Sequence, residues 1–273
     1  MSAAASAALS AAIVRAALDR GADLAGVARI DDVRGSPSHR IFGLLEEYSG
    51  AGSTMVLGRV HGQIDWPEKA RSVIIIAVRH PEEEPHLDWW RDGLSGGTEG
   101  NRLLIDAGAE LAAWLVAEHG IAAGVLPYHI EKGGIFLKDA AVLAGLGCIG
   151  RNNILVTPAY GPRVRLRCLV VDIELESTGP VDFDPCLDCD MPCRAACPQS
   201  AMARIVRTKE EYGLDELPGR EGAYDRDRCE VQMQADVGEH EGITRGDSGE
   251  PGKLVRYCRR CETACWVGAT PRK

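Results

Sequence analysis

Four cysteines stand within twelve residues in the stretch Cys186-Leu-Asp-Cys189-Asp-Met-Pro-Cys193-Arg-Ala-Ala-Cys197-Pro198. A second group follows Cys229 and reads Cys258-Arg-Arg-Cys261-Glu-Thr-Ala-Cys265. These eight are most of the ten cysteines of the chain, and Cys148 and Cys168 stand alone. Thiols clustered in this way, in a chain with no recognisable export signal, predict metal binding rather than disulfide bonds.

The spacing within the first group favours iron–sulfur clusters. The run resembles the bacterial ferredoxin pattern C-x2-C-x2-C-x3-C-P, except that its middle gap holds three residues. Pro198 suits the first position of a helix, where its missing N–H costs nothing. The eight clustered thiols match the ligand count of two [4Fe–4S] clusters. Two structural zinc sites, each with four cysteines, are the alternative.

Composition narrows the class of protein further. With 273 residues, 45% hydrophobic and 26% charged, the chain has the composition of a globular protein of one or two domains. Its net charge of −9 argues against general binding to a phosphate backbone. The longest strongly apolar run is far shorter than the roughly 20 residues that span a bilayer. We therefore expect a cytoplasmic protein that has no membrane partner.

The chain up to residue 178 alternates between helical and strand patterns, which predicts an α+β or α/β layered domain. Helices are expected from Ala4 to Arg20, around Leu104 to Leu115 and from Leu137 to Ala144, ended by Gly21, Gly120 and Gly145. Strands are expected at 23–30, 71–79, 154–156 and 165–173. The stretches 49–62 and 81–101 are predicted to be loops.

From residue 179 onward, Pro, Asp, Cys and Gly increase and apolar segments become short. A segment with so few apolar residues gains little from a core of its own, so metal ligation would stabilise its fold. We predict a second domain at 179–273, a ferredoxin-like module with two [4Fe–4S] clusters. Gly238 to Lys253 is predicted to be an exposed loop.

Two further stretches indicate a family. Ala144-Gly-Leu-Gly-Cys-Ile-Gly-Arg-Asn152 and Tyr160-Gly-Pro-Arg163, followed by a strand and the cysteine run, resemble epoxyqueuosine reductases and the related corrinoid-dependent reductive dehalogenases. The resemblance implies a nitroreductase-like domain at 1–178 that binds cobalamin in its base-off form. It also implies that two [4Fe–4S] clusters deliver electrons to the cobalt. The chain departs from the family in carrying Cys148 in place of an aromatic residue and Arg151 in place of lysine.

The resemblance also implies the residues of the site. Counting back from the glycine turn places the family's catalytic aspartate near Glu131, with Tyr128 and His129 as further candidate proton donors. The residues expected to contact the corrinoid are Gly145, Gly147, Cys148, Gly150, Arg151, Asn152, Asn153, Tyr160, Gly161, Arg163 and Arg165. Glycines would permit a close approach of backbone to the macrocycle, although a purely structural turn explains them equally well.

The ligand assignment follows the crossover of two-cluster ferredoxins, in which the fourth cysteine of a run serves the other cluster. It assigns Cys186, Cys189, Cys193 and Cys265 to one cluster, and Cys197, Cys229, Cys258 and Cys261 to the other. Cys168 is predicted to be a buried core residue. Cys148 is predicted either to pack in the core or to lie near a cofactor.

The predicted function is that of a reductase in which two clusters reduce a base-off corrinoid that acts on a substrate. The expected partners are a low-potential donor of the ferredoxin or flavodoxin type and a small-molecule or modified-nucleoside substrate; tRNA is a possible partner that the charge does not favour. The alternative is an electron-transfer protein that activates the corrinoid of a partner protein and has no substrate chemistry of its own.

Overall fold

The computed structural model describes residues 2–45 and 64–269. Its helices are α1 Ala3–Leu18, α2 Ile30–Arg34, α3 Pro37–Phe42, α4 Glu99–His119, α5 Leu137–Leu143, α6 Pro192–Ala195, α7 Lys209–Tyr212, α8 Arg226–Gly238 and α9 Arg260–Thr263, with 3-10 turns at Pro85–Leu87 and Ile130–Lys132. Its strands are β1 Leu24–Arg29, β2 Ser72–Arg79, β3 Trp90–Arg91, β4 Ala123–Val125, β5 Cys148–Ile149, β6 Leu155–Val156, β7 Val164–Val171, β8 Glu241–Thr244 and β9 Pro251–Val255.

The main sheet has four antiparallel strands in the order β1-β2-β7-β4. Strands β2 and β7 occupy the centre, and every residue of β2 except Arg79 is buried. This confirms the prediction of a strand covered on both faces. A strand with helices on both sides of its sheet is buried on both faces, so its sequence is a continuous apolar run. The mixed α+β class is thereby confirmed.

Two apolar clusters fill the two faces of this sheet. On one face, Ile13 of α1 and Leu104 and Leu111 of α4 pack with Ile74 and Ile76 of β2. On the opposite face, Ala140 and Ala141 of α5 pack with residues of β2 and β7. These strand residues are Val73, Ile75, Leu166 and Cys168. The sheet is therefore the middle of three layers, and the two faces of β7 look toward different helices.

Glycines end the helices where the pattern predicts. Gly21, just beyond α1, and Gly120, which caps α4, have φ angles of 92° and 65°. Only glycine adopts this left-handed region without strain, so these endings are encoded locally. Helix α4 begins at Glu99, inside the stretch 81–101 that was predicted to be a loop. That stretch also contains a 3-10 turn and β3, whereas the predicted loop at 49–62 lies outside the described residues.

The prediction of an exposed loop at Gly238–Lys253 is wrong. Strands β8 and β9 form a hairpin there, and β9 also pairs with β3 through Trp90↔Val255 and Arg91↔Leu254. Polar composition concealed the hairpin, because its strands are mostly exposed and present few apolar residues. The resulting three-stranded sheet joins segments from both sides of the predicted domain boundary. Within the described ranges, no helix is long and apolar enough to cross a membrane.

Candidate iron–sulfur sites

One pocket is lined by three cysteines from a single loop and by a fourth that is distant from them in sequence. Cys186, Cys189 and Cys193 come from the loop that leads into α6, and Cys265 follows α9. The pocket contains about 310 Å³ of empty volume, part of which is open solvent. Arg151, Asn152, Val156, Met191, Pro192 and Trp266 complete its wall. The structure thus brings together the four thiols that were predicted to share one cluster.

These thiols influence one another electrostatically. Burial is the main cause that raises the pKa of Cys193, and nearby Cys265, Cys186 and Cys189 raise it further. Burial likewise raises the pKa of Cys265, where the charge of Arg163 acts in the opposite direction. Thiolates held this close in a half-buried site need a cation between them.

The remaining four clustered cysteines form a second group. Burial raises the pKa of Cys261 to about 12, and Cys258, Cys229 and Cys197 are neighbours that raise it further. Burial raises the pKa of the Tyr224 phenol, and Cys229 of α8, which is close enough to hydrogen-bond with it, raises that pKa further. The backbone N–H of Cys258 donates to a carboxylate oxygen of Asp236 at 2.7 Å. The structure therefore separates the eight thiols into the two predicted quartets.

Neither quartet converges on a point. In the described ranges, no three His, Cys, Asp or Glu side chains are placed to hold a single metal ion. A tetrahedral zinc site needs all of its ligand atoms within about 2.3 Å of one centre. The first quartet instead lines a pocket, which is the arrangement that a polynuclear cluster requires.

The loop of the first quartet is held by charged side chains. Arg151 donates from Nε to the carbonyl oxygen of Cys186 at 3.0 Å, and its guanidinium pairs with Glu221. On the other side, Asp184 accepts from the backbone N–H of Cys186 at 3.0 Å and forms a bidentate pair with Arg220. These charge-assisted bonds fix both polar groups of the Cys186 backbone.

Two residues that were predicted to contact the corrinoid hold the C-terminal cysteine loop. The amide of Asn152 donates to the carbonyl oxygen of Cys261 at 3.2 Å. The guanidinium of Arg163 is 3% exposed and donates to the carbonyl oxygens of Thr263, Cys265 and Val267. The segment that follows the glycine turn thus binds the C-terminal cysteine loop through hydrogen bonds.

The glycines of that segment approach protein backbone. A Cβ atom on Gly145 would lie 2.8 Å from the carbonyl oxygen of Thr178. On Gly147 or Gly161 it would overlap the carbonyl oxygen of Val156 or Val267, respectively. The space that these glycines leave is therefore filled by the chain itself, as the alternative of a structural turn predicts. Gly150 is buried, and a Cβ there would contact Val156 and Asn152.

The other predicted contact residues occupy several environments. Asn153 is half-buried and its carbonyl oxygen accepts a 2.6 Å bond from Lys138, while Tyr160 packs against the core. Cys168 is 3% exposed in the core, which confirms its predicted place. Cys148 lies near Cys186, and burial raises its pKa to about 12. Cys148 is therefore close to the first quartet without being one of its four thiols.

The three candidate proton donors lie beyond β4. Tyr128 is 36% exposed, and the guanidinium carbon of Arg167 stands 5.0 Å from its ring centroid. The ring of His129 contacts Tyr128 edge-on at 5.1 Å. Glu131 belongs to the 3-10 turn Ile130–Lys132, and its side chain lies outside what the structure describes.

A buried charged network next to the second quartet was not predicted. Asp88 pairs with Arg165 and also with Arg259, which stands between Cys258 and Cys261. Arg259 pairs with Glu262 as well, and Nδ1 of His80 lies 3.6 Å from both carboxylates. Burial lowers the pKa of His80 to about 4. The charged residues within the second cysteine group were the only signal of this network in the sequence.

Sequence comparison identifies relatives of two kinds. The epoxyqueuosine reductase of Gloeobacter violaceus is 30% identical over 181 residues, which cover 65% of this chain and 56% of that protein. The tetrachloroethene reductive dehalogenase of Sulfurospirillum multivorans is 28% identical over 129 residues, covering 46% of this chain and 24% of the relative. The chain thus spans about half or less of the length of these relatives. No protein-family model matches it.

Solved structures show the same two kinds of neighbour. An epoxyqueuosine reductase in complex with an epoxyqueuosine-modified tRNA-Tyr stem loop superposes with a TM-score of 0.60 and 18% identity, covering 96% of this chain and 65% of that one. A reductive dehalogenase, described as B12-dependent, gives a TM-score of 0.59 and 19% identity over 95% of this chain and 32% of its own. The chain is therefore similar in sequence and in fold to epoxyqueuosine reductases and reductive dehalogenases, which confirms the predicted resemblance.

Proposed function

We propose that this chain is an iron–sulfur reductase of the epoxyqueuosine reductase type, in which two [4Fe–4S] clusters carry electrons to a substrate site beside Tyr128. The observation that carries the proposal is the grouping of eight cysteines into two quartets, each of which joins thiols from separate segments of the chain. Clusters of this kind accept and release single electrons at potentials set by their surroundings. The names of the relatives, all reductases, support the same enzyme class.

The residues around the quartets fit such clusters. Cys186, Cys189, Cys193 and Cys265 would hold one cluster, and Cys197, Cys229, Cys258 and Cys261 the other. Arg151 and Arg163 place positive charge beside the first quartet, which offsets the negative charge of four thiolates. Trp266 is 61% exposed at the wall of the same pocket. That quartet is thus reached from the protein surface, as the entry of electrons from a donor protein requires.

Five of the residues predicted to contact a corrinoid have partners within the protein. Gly145, Gly147 and Gly161 lie against protein backbone, and Asn152 and Arg163 are used to hold the cysteine loop. Contact between a corrinoid and these residues stays a prediction, and no step of the proposed electron transfer depends on it.

A contiguous path of charged residues favours a reductase over an electron carrier. It runs from Arg259, between two thiols of the second quartet, through Asp88 to Arg165, and Arg167 is the next residue on that face of β7. Arg167 in turn contacts Tyr128, whose phenol is a suitable proton donor. These residues thereby connect the second quartet to Tyr128, the candidate proton donor.

The proposal is tested with protein purified anaerobically and reduced with dithionite, excess reductant being removed. The reduced protein is mixed with tRNA that carries epoxyqueuosine, and oxidation of the clusters is followed by absorbance and electron paramagnetic resonance. Oxidation coupled to loss of the epoxide supports the proposal. A parallel mixture with a corrinoid protein tests the alternative: oxidation only in that mixture would favour the electron carrier.

A further inference from the structure

Arg167 is half-buried and has no counter-ion among the residues that the structure describes. Within the described ranges its side chain makes no hydrogen bond and no ion pair, and its Nε is buried with no partner. Burial lowers the pKa of its guanidinium, and the neighbouring charge of Arg165 lowers it further. Removing a cation from water without pairing it is costly, so such a residue points to a ligand that is absent from the free protein.

The position of Arg167 results from the antiparallel register of two strands. Val125, the last residue of β4, pairs with Leu169, so the chain that continues past it runs alongside Arg167. Tyr128 follows three residues later and stacks its ring on the guanidinium. Stacking orients the planar fork but satisfies none of its N–H donors, because the ring is a π acceptor for the charge only.

A second guanidinium adds positive charge to the same face of β7. Arg165 lies two residues before Arg167, and one of its N–H groups, Nε, is also buried without a partner. Asp88 neutralises Arg165, whereas no carboxylate within the described residues does the same for Arg167. The pair therefore carries a net positive charge, next to the hydroxyl of Tyr128 and the ring of His129.

We propose that Arg167 and Tyr128 form a binding site for an oxyanion, a carboxylate or phosphate group carried by the molecule that this chain reduces. The planar guanidinium presents paired N–H donors that match either group, and the phenol can donate a further bond. The inference deepens the proposed function and rests on it for the identity of the ligand as a substrate. The site itself is testable without any redox chemistry.

The experiment is calorimetric titration of the anaerobically purified, iron-loaded protein at low ionic strength with three probes: inorganic phosphate, dimethyl phosphate and acetate. At least one probe should bind, and Arg167→Gln should weaken its binding at least tenfold while the iron content is unchanged. Arg167→Lys keeps the charge without the fork and should give intermediate binding. The probe that binds most tightly identifies the anion class.

The matched control is Arg20→Gln, because Arg20 also stacks on an aromatic ring, that of Trp114, at 5.2 Å. It should leave the binding of every probe unchanged. Two results would overturn the inference: no binding of any probe by the parent protein, or equal binding by Arg167→Gln. Neither result would affect the proposed function, whose test measures iron–sulfur redox chemistry.

Discussion

The guanidinium of Arg163 donates a 3.0 Å hydrogen bond to the carbonyl oxygen of Cys265, although the two residues are 102 positions apart. The same side chain reaches the carbonyl oxygens of Thr263 and Val267, so a residue adjoining the main sheet fixes the loop that completes the first quartet. These bonds therefore attach the loop that carries Cys265 to the main sheet.

The first prediction follows from that contact. Arg163→Gln leaves buried carbonyl oxygens without donors and should destabilise the protein by about 3 kcal/mol. Thermal unfolding of the iron-loaded protein measures the effect, together with the iron retained by the first quartet. Arg29→Gln is the control, because Arg29 is exposed and, among the described residues, pairs with exposed Glu174 alone. Equal melting temperatures for the two variants would show that Arg163 does not hold the loop.

The second prediction concerns Cys197, which follows the ligands of the first quartet but is grouped with Cys261. Cys197→Ser should remove the iron of the second quartet and expose the segment after residue 200 to protease, because metal ligation stabilises that segment. Iron analysis and limited proteolysis provide the measurements. Cys168→Ala, which changes a core thiol outside both quartets, should keep its iron. A Cys197→Ser protein as iron-rich and protease-resistant as the parent contradicts the grouping.

The third prediction separates the structural turn from a cofactor surface. Gly147→Ala places a Cβ atom on the carbonyl oxygen of Val156, so it should reduce the yield of folded protein or lower the melting temperature by more than ten degrees, which corresponds to about 3 kcal/mol. Gly43→Ala is the control, since Gly43 has a helical φ of −72° and open space around it. A stable Gly147→Ala protein would mean that the turn tolerates a side chain.

The fourth prediction is a loss of stability in acid. Burial lowers the pKa of His39 to about 4, against the opposing effect of Asp139, so the folded protein holds this ring neutral. Unfolded His39 binds a proton near its ordinary pKa of about 6.5, and stability therefore falls as the pH decreases from 6.5 toward 4. The contribution at pH 5 is on the order of 1–2 kcal/mol.

Denaturant unfolding of the parent and of His39→Gln between pH 8 and 5 measures that contribution. The glutamine amide oxygen can still accept from the backbone N–H of Phe136, which now donates to Nε2 of His39 at 3.1 Å, but it does not titrate. The loss of stability with acid should be smaller in the variant. Parallel curves for the two proteins would show that His39 is not the group responsible.

Local sequence patterns predicted the helices and strands of the layered domain well. Features that depend on contacts between distant residues were not predicted, with the exception of the cysteine quartets. The apolar run of β2 and the glycines after α1 and α4 encode their own structure, since burial and φ preference act within a few residues. The hairpin of β8 and β9 was missed because its strands are polar and mostly exposed, and its pairing with β3 was missed because β3 lies more than 160 residues earlier. The cysteine quartets were predictable because their spacing carries the chemistry.

The sequence could not show whether the glycine turn contacts a cofactor or the protein itself. Glycine permits either one to approach the backbone closely. Gly147 meets Val156, and Gly161 meets Val267, contacts that depend on the folded positions of separate loops. Arg163 was predicted to face a cofactor. Alternation along a strand indicates which face of the sheet a side chain lies on, but it does not indicate which group the side chain contacts. In both cases the contacts of these residues depend on the tertiary structure.

Determination of iron, acid-labile sulfide and zinc per chain in anaerobically purified protein tests the central claim most directly. Two quartets that each enclose a cubane cluster predict about eight iron and eight sulfide per chain, with no stoichiometric zinc. Zinc in place of iron, without sulfide, or about four iron with all eight cysteines intact, would contradict it.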